Sequence, residues 1–540
     1  MRLKIRLFPK KKTEIKEERI SNLIQMLDAS VSRCPQNTAL VFGAKNISYQ
    51  DLKGYSKKLA VALRRLGVKE FDKVALWLPN CPEFVYAFFA ILRLRAIVVP
   101  INDMFKREEA RFIIEDSAAK VLICSVDKAP DAQNILSRLD TLEHIICNPA
   151  PRGNPVILDF STLIKEEKGD VGEAKIEEDD LAEIIYTSGT TGRPKGACLA
   201  HKNLLSNIND CCSIITAKKN DCFICILPLF HSFSSTVCML LPLSRGARIV
   251  IMRGVKRFKR VTRAIFNHRV TIFASVPSVY HILGEARIPR FKLLVNIFTN
   301  PVRFYVSGAV ALPLTVWKKF VKRFHRPLLQ GYGLTEASPV VSLHPLKGKK
   351  KPDSVGVPLP SIEVRVVDSK GSDVKRGEVG ELLVKGPNVM QGYYNLEDET
   401  KEALKNGWLY TGDLVKIDKD GFIYIMGRIK EMINVRGLNV YPREIEDTLY
   451  RHPRVKEAAV VGAVHQHRGE VPVSFVVKSN SVTEREIMSY LRANLASYKV
   501  PLRVVFRDGL PKNLTGKVLR KELQKEVKNI FNERGVQDSV

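Results

Sequence analysis

The chain has 540 residues, 45% of them hydrophobic and 26% charged, enough to bury large cores and, by length alone, to hold roughly three or four domains of a globular protein. Lysine and arginine number 86 against 57 aspartates and glutamates, a net charge of +29 that attracts anionic lipid, nucleic acid or an acidic protein without choosing among them. Ten cysteines without a dense even framework suit a reducing cytosol better than secretion.

In chain order, residues 1–20 read as a basic, disorder-prone tail containing Lys10 to Lys12. Strands are expected at 73–78, 96–100 and 120–124, with helices at 83–94 and 108–118 between and after them. The longest apolar stretch, 84–101, is interrupted by Arg93 and Arg95, and the N-terminus lacks a signal-peptide core. A cytoplasmic protein is therefore expected, with peripheral contact at the inner face of the membrane left open. A mostly apolar strand at 181–186 leads into the loop 186–196, and a helix is expected from His201.

Cys222 and Cys225 form a Cys-x-x-Cys, but they lie in an apolar run without a second ligand pair, so a buried strand is expected rather than a metal site. Strands follow at 247–252 and 270–274. Between them, Phe258, Val261, Ile265 and Phe266 fall at helical spacing, while Lys256, Arg257, Lys259, Arg260 and Arg263 fill much of the remaining face. That face is either simply solvated or a docking surface for membrane or an acidic partner; no nucleic-acid-binding motif is present.

The alternation of strands and helices predicts parallel sheets covered by helices. From 354 the texture becomes β-rich and rich in turns, and after Gly427 a helix at 442–451, strands near 458–461 and 472–477, a helix at 484–495 and a strand near 503–506 suffice for a small separate domain. The expected fold is α/β: a large domain at 21–428 of helix-covered, mostly parallel sheets, with a β-rich subdomain at 354–428. A hinge at 429–430 and a small, mobile α+β domain at 431–540 complete it.

The loop Tyr186-Thr-Ser-Gly-Thr-Thr-Gly-Arg-Pro-Lys-Gly196 carries the most information. Its glycines bring backbone N–H groups close to an anion, its hydroxyls add donors, and Arg193 and Lys195 add charge, so it suits a triphosphate. Pro194 stands where the common NTPase loop has glycine before lysine. Further motifs follow: Leu227-Pro-Leu-Phe-His-Ser-Phe233, Ser307-Gly-Ala309, Gln330-Gly-Tyr-Gly-Leu-Thr-Glu336, Tyr410-Thr-Gly-Asp413, Gly427-Arg-Ile-Lys430, Gly437-Leu-Asn-Val-Tyr-Pro442 and Pro511-Lys-Asn-Leu-Thr-Gly-Lys517.

With these motifs, in this order, the chain resembles the adenylate-forming superfamily of acyl-CoA synthetases, luciferases and nonribosomal adenylation domains, and among them fatty acid–CoA ligases. The resemblance covers roughly 22–523. It implies that a carboxylate attacks the α-phosphorus of ATP, pyrophosphate leaves, and a thiol then displaces AMP. Two anions must meet, so the site needs positioned cations and donors.

By this resemblance Thr187, Ser188, Gly189, Thr190, Thr191, Gly192 and Lys195 surround the β and γ phosphates. Tyr332 stacks on adenine, Thr335 donates to the α-phosphate, Glu336 holds Mg²⁺, Asp413 accepts from the ribose hydroxyls and Arg428 reaches ribose or α-phosphate oxygens. Lys517 carries the first half-reaction, Lys430 is the hinge, and Gly437 lets the pantetheine arm of CoA pass. The acyl pocket is formed by His231, Phe233, Val237, Ser307, Gly308, Ala309, Gly331 and Gly333, with His231 as a wall or gate. Pocket stretches at 228–241, 305–309 and 331–341 are largely apolar, which favours a fatty acid of medium to long chain with ATP and CoA as co-substrates. A fatty acid:acyl-carrier-protein ligase and a non-catalytic acyl or nucleotide sensor are the alternatives; no nucleic acid is expected as a partner.

Overall fold

A computed structural model of the chain describes residues 20–166, 169, 172, 174–187, 193–254, 258–285, 299–436, 438–465, 469–513 and 516–533. Its architecture is α/β. Five parallel strands, Phe304–Ser307, Ile272–Ser275, Cys222–Cys225, Arg248–Ile251 and Thr38–Phe42, lie side by side within a nine-stranded sheet. Leu328–Gly333 extends the parallel run beside Phe304–Ser307 and then pairs antiparallel with Val340–Leu343. An eight-stranded sheet is built around Lys73–Trp77, flanked in parallel by Ile97–Pro100 and Ala119–Ser125. These strands are apolar along their length because both faces are covered.

The helix Pro82–Arg93 is apolar nearly all round and buried at every position but Glu83, as a helix between two packed layers must be. Its Arg93, which interrupts the apolar stretch, is 6% exposed and paired with Asp28 at 2.7 Å, so the charge is matched inside the core. Among the described residues no helix is long and apolar enough to cross a membrane. Cys222 and Cys225 are buried within the strand Cys222–Cys225.

The basic segment forms the helix Phe258–Asn267, with Val261 and Ile265 buried and Lys259, Arg260 and Arg263 exposed. Phe266, expected on the buried face, is 41% exposed; at the last turn it has rotated beyond the stripe set by Val261 and Ile265. Lys256 and Arg257 lie outside the described residues.

The β-rich part is an antiparallel sheet of Glu363–Val367, Gly380–Lys385, Trp408–Ile417, Leu404–Lys405 and Ile423–Arg428. Beyond it, Ile433–Val435, Leu438–Val440, Val455–His465, Gly469–Lys478 and Arg503–Arg507 form a last sheet, with Pro442–Arg451, Glu484–Asn494 and Arg520–Glu533 as helices. That sheet has its own apolar clusters, one built on Ile445, Leu449 and Ile487 and one on Phe475, Leu523 and Val527, whereas a large cluster runs from Leu23 to Ile423 and another, from Ala75 to Cys198, fills the other side of the eight-stranded sheet. Thr483 and Glu486 close a capping box that fixes the start of Glu484–Asn494.

The helix expected from His201 stands at His201–Ile215, but a strand that was not expected precedes it. The loop after Leu181–Thr187 leads not to a helix but to a second strand, Lys195–Ala200, paired antiparallel with the first from Thr187↔Lys195 to Leu181↔Ala200. The helix His201–Ile215 begins only at the far end of that strand, so its N-terminal dipole does not face the loop. Positive charge at the loop comes from side chains instead.

Candidate active site

Parallel strands present their C-terminal ends on one edge of a sheet, and ligands of open α/β folds bind outside those ends. Three of the motifs follow strands of the nine-stranded sheet: Leu227 to Phe233 after Cys222–Cys225, Gly308 and Ala309 after Phe304–Ser307 one strand further on, across Ile272–Ser275, and Tyr332 to Glu336 at the end of the adjoining Leu328–Gly333. Residues 187 and 195 come from the other sheet, and Arg428 from the β-rich one. They meet around one cavity of about 990 Å³.

Thr187, Lys195, His231, Phe233, Val237, Gly308, Ala309, Gly331, Tyr332, Gly333, Thr335, Glu336, Arg428, Lys430 and Lys517 all line it. Ser188, Gly189, Thr190, Thr191, Gly192 and Gly437 lie outside the described residues. Ser307 does not line the cavity: it is 2% exposed at the end of its strand, one residue short of the point where the chain turns into the wall. Met239, Leu240 and Val341, expected in the pocket stretches, are likewise packed into the core behind it.

Asp413 is fixed by sheet register. It stands opposite Arg428 across the pair Trp408–Ile417 and Ile423–Arg428, with Arg428 Nε 3.0 Å from its Oδ1. The Tyr332 phenol donates to Oδ2 at 2.5 Å. Burial pushes the Asp413 carboxyl above the usual carboxylate range, against the pull of Arg428 and Tyr332. Thr335 and Ser232 hydroxyls share a hydrogen bond of 3.2 Å, and Gly333 is required by close approach: a Cβ there would lie 2.0 Å from the Pro339 carbonyl oxygen.

Lys517 reaches the cavity from the small C-terminal unit. Asn513 shapes its turn, donating its N–H to the Lys517 carbonyl at 2.9 Å and accepting the Lys517 N–H on Oδ1 at 2.9 Å. Gly516 turns at φ +80° against Ser278 of the large unit, a conformation that favours glycine. Desolvation, and then the neighbouring Arg428, hold the Lys517 ammonium below the usual lysine range. Burial, and then Lys517, lower the His231 pKa to about 4, so the imidazole is neutral near pH 7; its Nδ1 accepts from the Phe233 N–H at 3.2 Å. This is the bonding of a wall residue.

Several lining residues carried no signal in the sequence. Beside Leu241, which lies in the expected pocket stretch 228–241, Cys211 and Ile215 on His201–Ile215 line an apolar part of the cavity. Their helical spacing matched an ordinary core face, and only the tertiary packing opens them to a cavity. Tyr393 and Glu399 stand beside Lys195: the Tyr393 phenol donates to Glu336 Oε1 at 2.8 Å, and Lys195 Nζ lies 3.7 Å from Glu399 Oε1.

The AMP-binding enzyme family matches residues 27–394, and the AMP-binding enzyme C-terminal domain matches 444–517. The chain is 34% identical over 535 residues to a long-chain-fatty-acid–CoA ligase of Bacillus subtilis, covering 93% of this chain and 94% of the relative. It is 34% identical over 510 residues to 4-coumarate–CoA ligase 2 of Solanum tuberosum, with 92% of each chain covered. The crystal structure of ATP-bound MatB from Rhodopseudomonas palustris superposes with a TM-score of 0.88 at 29% identity, covering 95% of this chain and 99% of that one. Matched along nearly its whole length, the chain belongs to the AMP-binding enzyme family, the adenylate-forming superfamily, and stands within it among the AMP-forming acid–CoA ligases.

Proposed function

We propose that this protein is an ATP-dependent fatty acid–CoA ligase, forming acyl-AMP and pyrophosphate and then acyl-CoA and AMP, with medium to long chains preferred. The observation that carries the reading is the cavity itself. Its polar part gathers Lys195, Glu336, Arg428 and Lys517, and its apolar part is walled by Cys211, Ile215, Phe233, Val237 and Leu241. An anion bearing a long hydrocarbon satisfies both parts: burying each methylene contributes about 0.8 kcal/mol.

Lys195 and the loop 187–192 take the β and γ phosphates, Thr335 donates to the α-phosphate, Asp413 accepts from the ribose hydroxyls and Tyr332 stacks on adenine. Arg428 and Lys517 neutralise the charge that builds as carboxylate and α-phosphate meet. Glu336 fits a magnesium ion. With Oε1 held by Tyr393, Oε2 is the oxygen left for a cation, and magnesium commonly takes one or two carboxylates while nucleotide phosphates and water supply the rest. Its chemistry would be to neutralise phosphate oxygens.

The domain boundary falls at 429–430. Lys430 lies in the short turn Ile429–Glu431 and absorbs a backbone rotation that withdraws Lys517 and brings the segment at Gly437 to the thiol path. Purified protein given ATP, magnesium, a panel of carboxylic acids and either CoA or acyl carrier protein, with thioester detected by mass spectrometry, tests acid and acceptor together. Failure of every fatty acid in pyrophosphate exchange overturns the reading; thioester on carrier protein alone replaces CoA as the acceptor.

A further inference from the structure

We propose that Tyr393 is a positioning residue that ties the phosphate-facing lysine to the metal-facing carboxylate, keeping Glu336 oriented for a divalent cation and keeping Lys195 from pairing with it; this rests on the reading of the site just given. Lys195 and Glu336 carry opposite charges and line one cavity. Left to themselves they would neutralise one another and be withdrawn from phosphate and metal. The Tyr393 side chain engages both. Its phenol donates to Glu336 Oε1 at 2.8 Å, and Lys195 Nζ lies 5.3 Å from the centroid of its ring, within the range of a cation–π contact.

The backbone that carries Tyr393 is fastened to the same two places. Gly392–Tyr393 pairs antiparallel with Lys195–Ala200, with Tyr393 opposite Ala197. The Tyr394 N–H donates to the Gly196 carbonyl at 2.7 Å, and the Met390 N–H donates to the Glu336 carbonyl at 2.9 Å. Thr400 Oγ1 accepts the Tyr393 N–H at 2.9 Å, which fixes the turn that follows. Residues 390–394 therefore form a strap from the strand that leaves the phosphate loop to the residue that faces the metal. Ordering of the loop by a triphosphate is transmitted through five residues to the Glu336 carboxylate.

Partners that orient a metal-binding side chain are worth 10- to 100-fold in metal affinity in well-studied sites. The test is Mn²⁺ binding to the enzyme–ATP complex, followed by electron paramagnetic resonance without any carboxylic acid, so that adenylation does not enter. In Tyr393→Phe the ring remains over Lys195 and the hydrogen bond is lost: the Mn²⁺ dissociation constant should rise about ten-fold or more, and pyrophosphate exchange should recover as magnesium is raised. In Glu336→Gln the same constant should rise, and adding Tyr393→Phe to it should have little further effect. Tyr393→Leu should also weaken ATP binding, because Lys195 loses its ring.

Unchanged Mn²⁺ affinity in Tyr393→Phe, a loss that magnesium does not restore, or additive losses in the double variant would each overturn the proposal. Wild-type protein that binds Mn²⁺ and ATP but exchanges pyrophosphate with no acid would instead refute the ligase reading, and the Mn²⁺ comparison would still decide the role of Tyr393.

Discussion

Glu183 stands in the strand Leu181–Thr187, with 0% of its surface exposed and neither carboxylate oxygen hydrogen-bonded to a described residue. Val98 is its neighbour in one adjoining strand and Leu199 in the other. Desolvation alone raises its pKa from the ordinary 4.5 to about 8. An acid whose pKa is raised on folding binds its proton more tightly in the native state, so stability is highest below the unfolded pKa and falls as pH rises towards the folded one. Each pKa unit is worth about 1.4 kcal/mol. At pH 7, about two and a half units above 4.5, the carboxyl therefore costs about 3 kcal/mol relative to its cost at pH 4, and by pH 8, where it is half ionised, about 4 kcal/mol.

Glu183→Leu removes the ionisable group and fits an apolar setting. We expect the variant to exceed wild type in stability by an amount that grows between pH 5 and pH 8 at about 1.4 kcal/mol per unit and levels off above pH 8. Urea midpoints of the main transition, taken at half-unit steps from pH 5 to 8.5, read this difference directly when the slope of the transition is unchanged. A difference independent of pH over that interval would refute the reasoning, because it would mean that the carboxyl finds a partner or reaches water in the native state.

Three further outcomes are expected. Lys517→Ala should slow adenylation, read as pyrophosphate exchange, by about 100-fold, while thioester formation from supplied acyl-adenylate largely survives; equal loss of both steps would refute the assignment. Wild-type exchange should fall on the alkaline side at a pH below the ordinary lysine value, since the Lys517 ammonium is held down and its charge is lost as pH rises through that lowered pKa; Lys517→Arg should move this limb upward. Ile215→Trp should shift the preferred acid to shorter chains, at about four-fold in kcat/KM per methylene denied burial; an unchanged chain-length profile across a series of saturated acids would place the acyl chain elsewhere.

The large features were legible because they follow from apolar pattern. Strands such as Lys73–Trp77 and Ile97–Pro100 are continuous apolar runs, and only a strand covered on both faces carries one without alternation. The helix Pro442–Arg451 announces itself by proline at its first position and apolar residues three and four apart. The strand Lys195–Ala200 was hidden: four of its residues are small, it begins beside Pro194, and it runs directly into a helix, so the hairpin of Leu181–Thr187 and Lys195–Ala200 read as strand, loop and helix. Glu183 was hidden in the opposite way, since a lone glutamate in an apolar strand reads as a solvent-facing position. Tyr393 had no local signal at all. Its place follows from pairing with a strand nearly two hundred residues earlier, and such register is set by the whole sheet.

The charges of the site are matched among themselves before any nucleotide arrives. Lys195 faces Glu399 and the Tyr393 ring, Arg428 faces Asp413, and Asp413 also accepts from Tyr332. In the proposed reaction ATP therefore exchanges partners instead of meeting bare charges. Phosphate oxygens displace Glu399 from Lys195, and ribose hydroxyls take over from the Tyr332 phenol at Asp413, one donor for another, which costs little and frees Tyr332 to adjust to the base. Lys517 differs from these: its charge is disfavoured where it stands, by desolvation and by Arg428. A second negative group brought into the cavity relieves that penalty. The lysine is thus held most firmly when carboxylate and triphosphate are both present and is released most easily once pyrophosphate has left, which gives the small unit a reason to turn away after the first step.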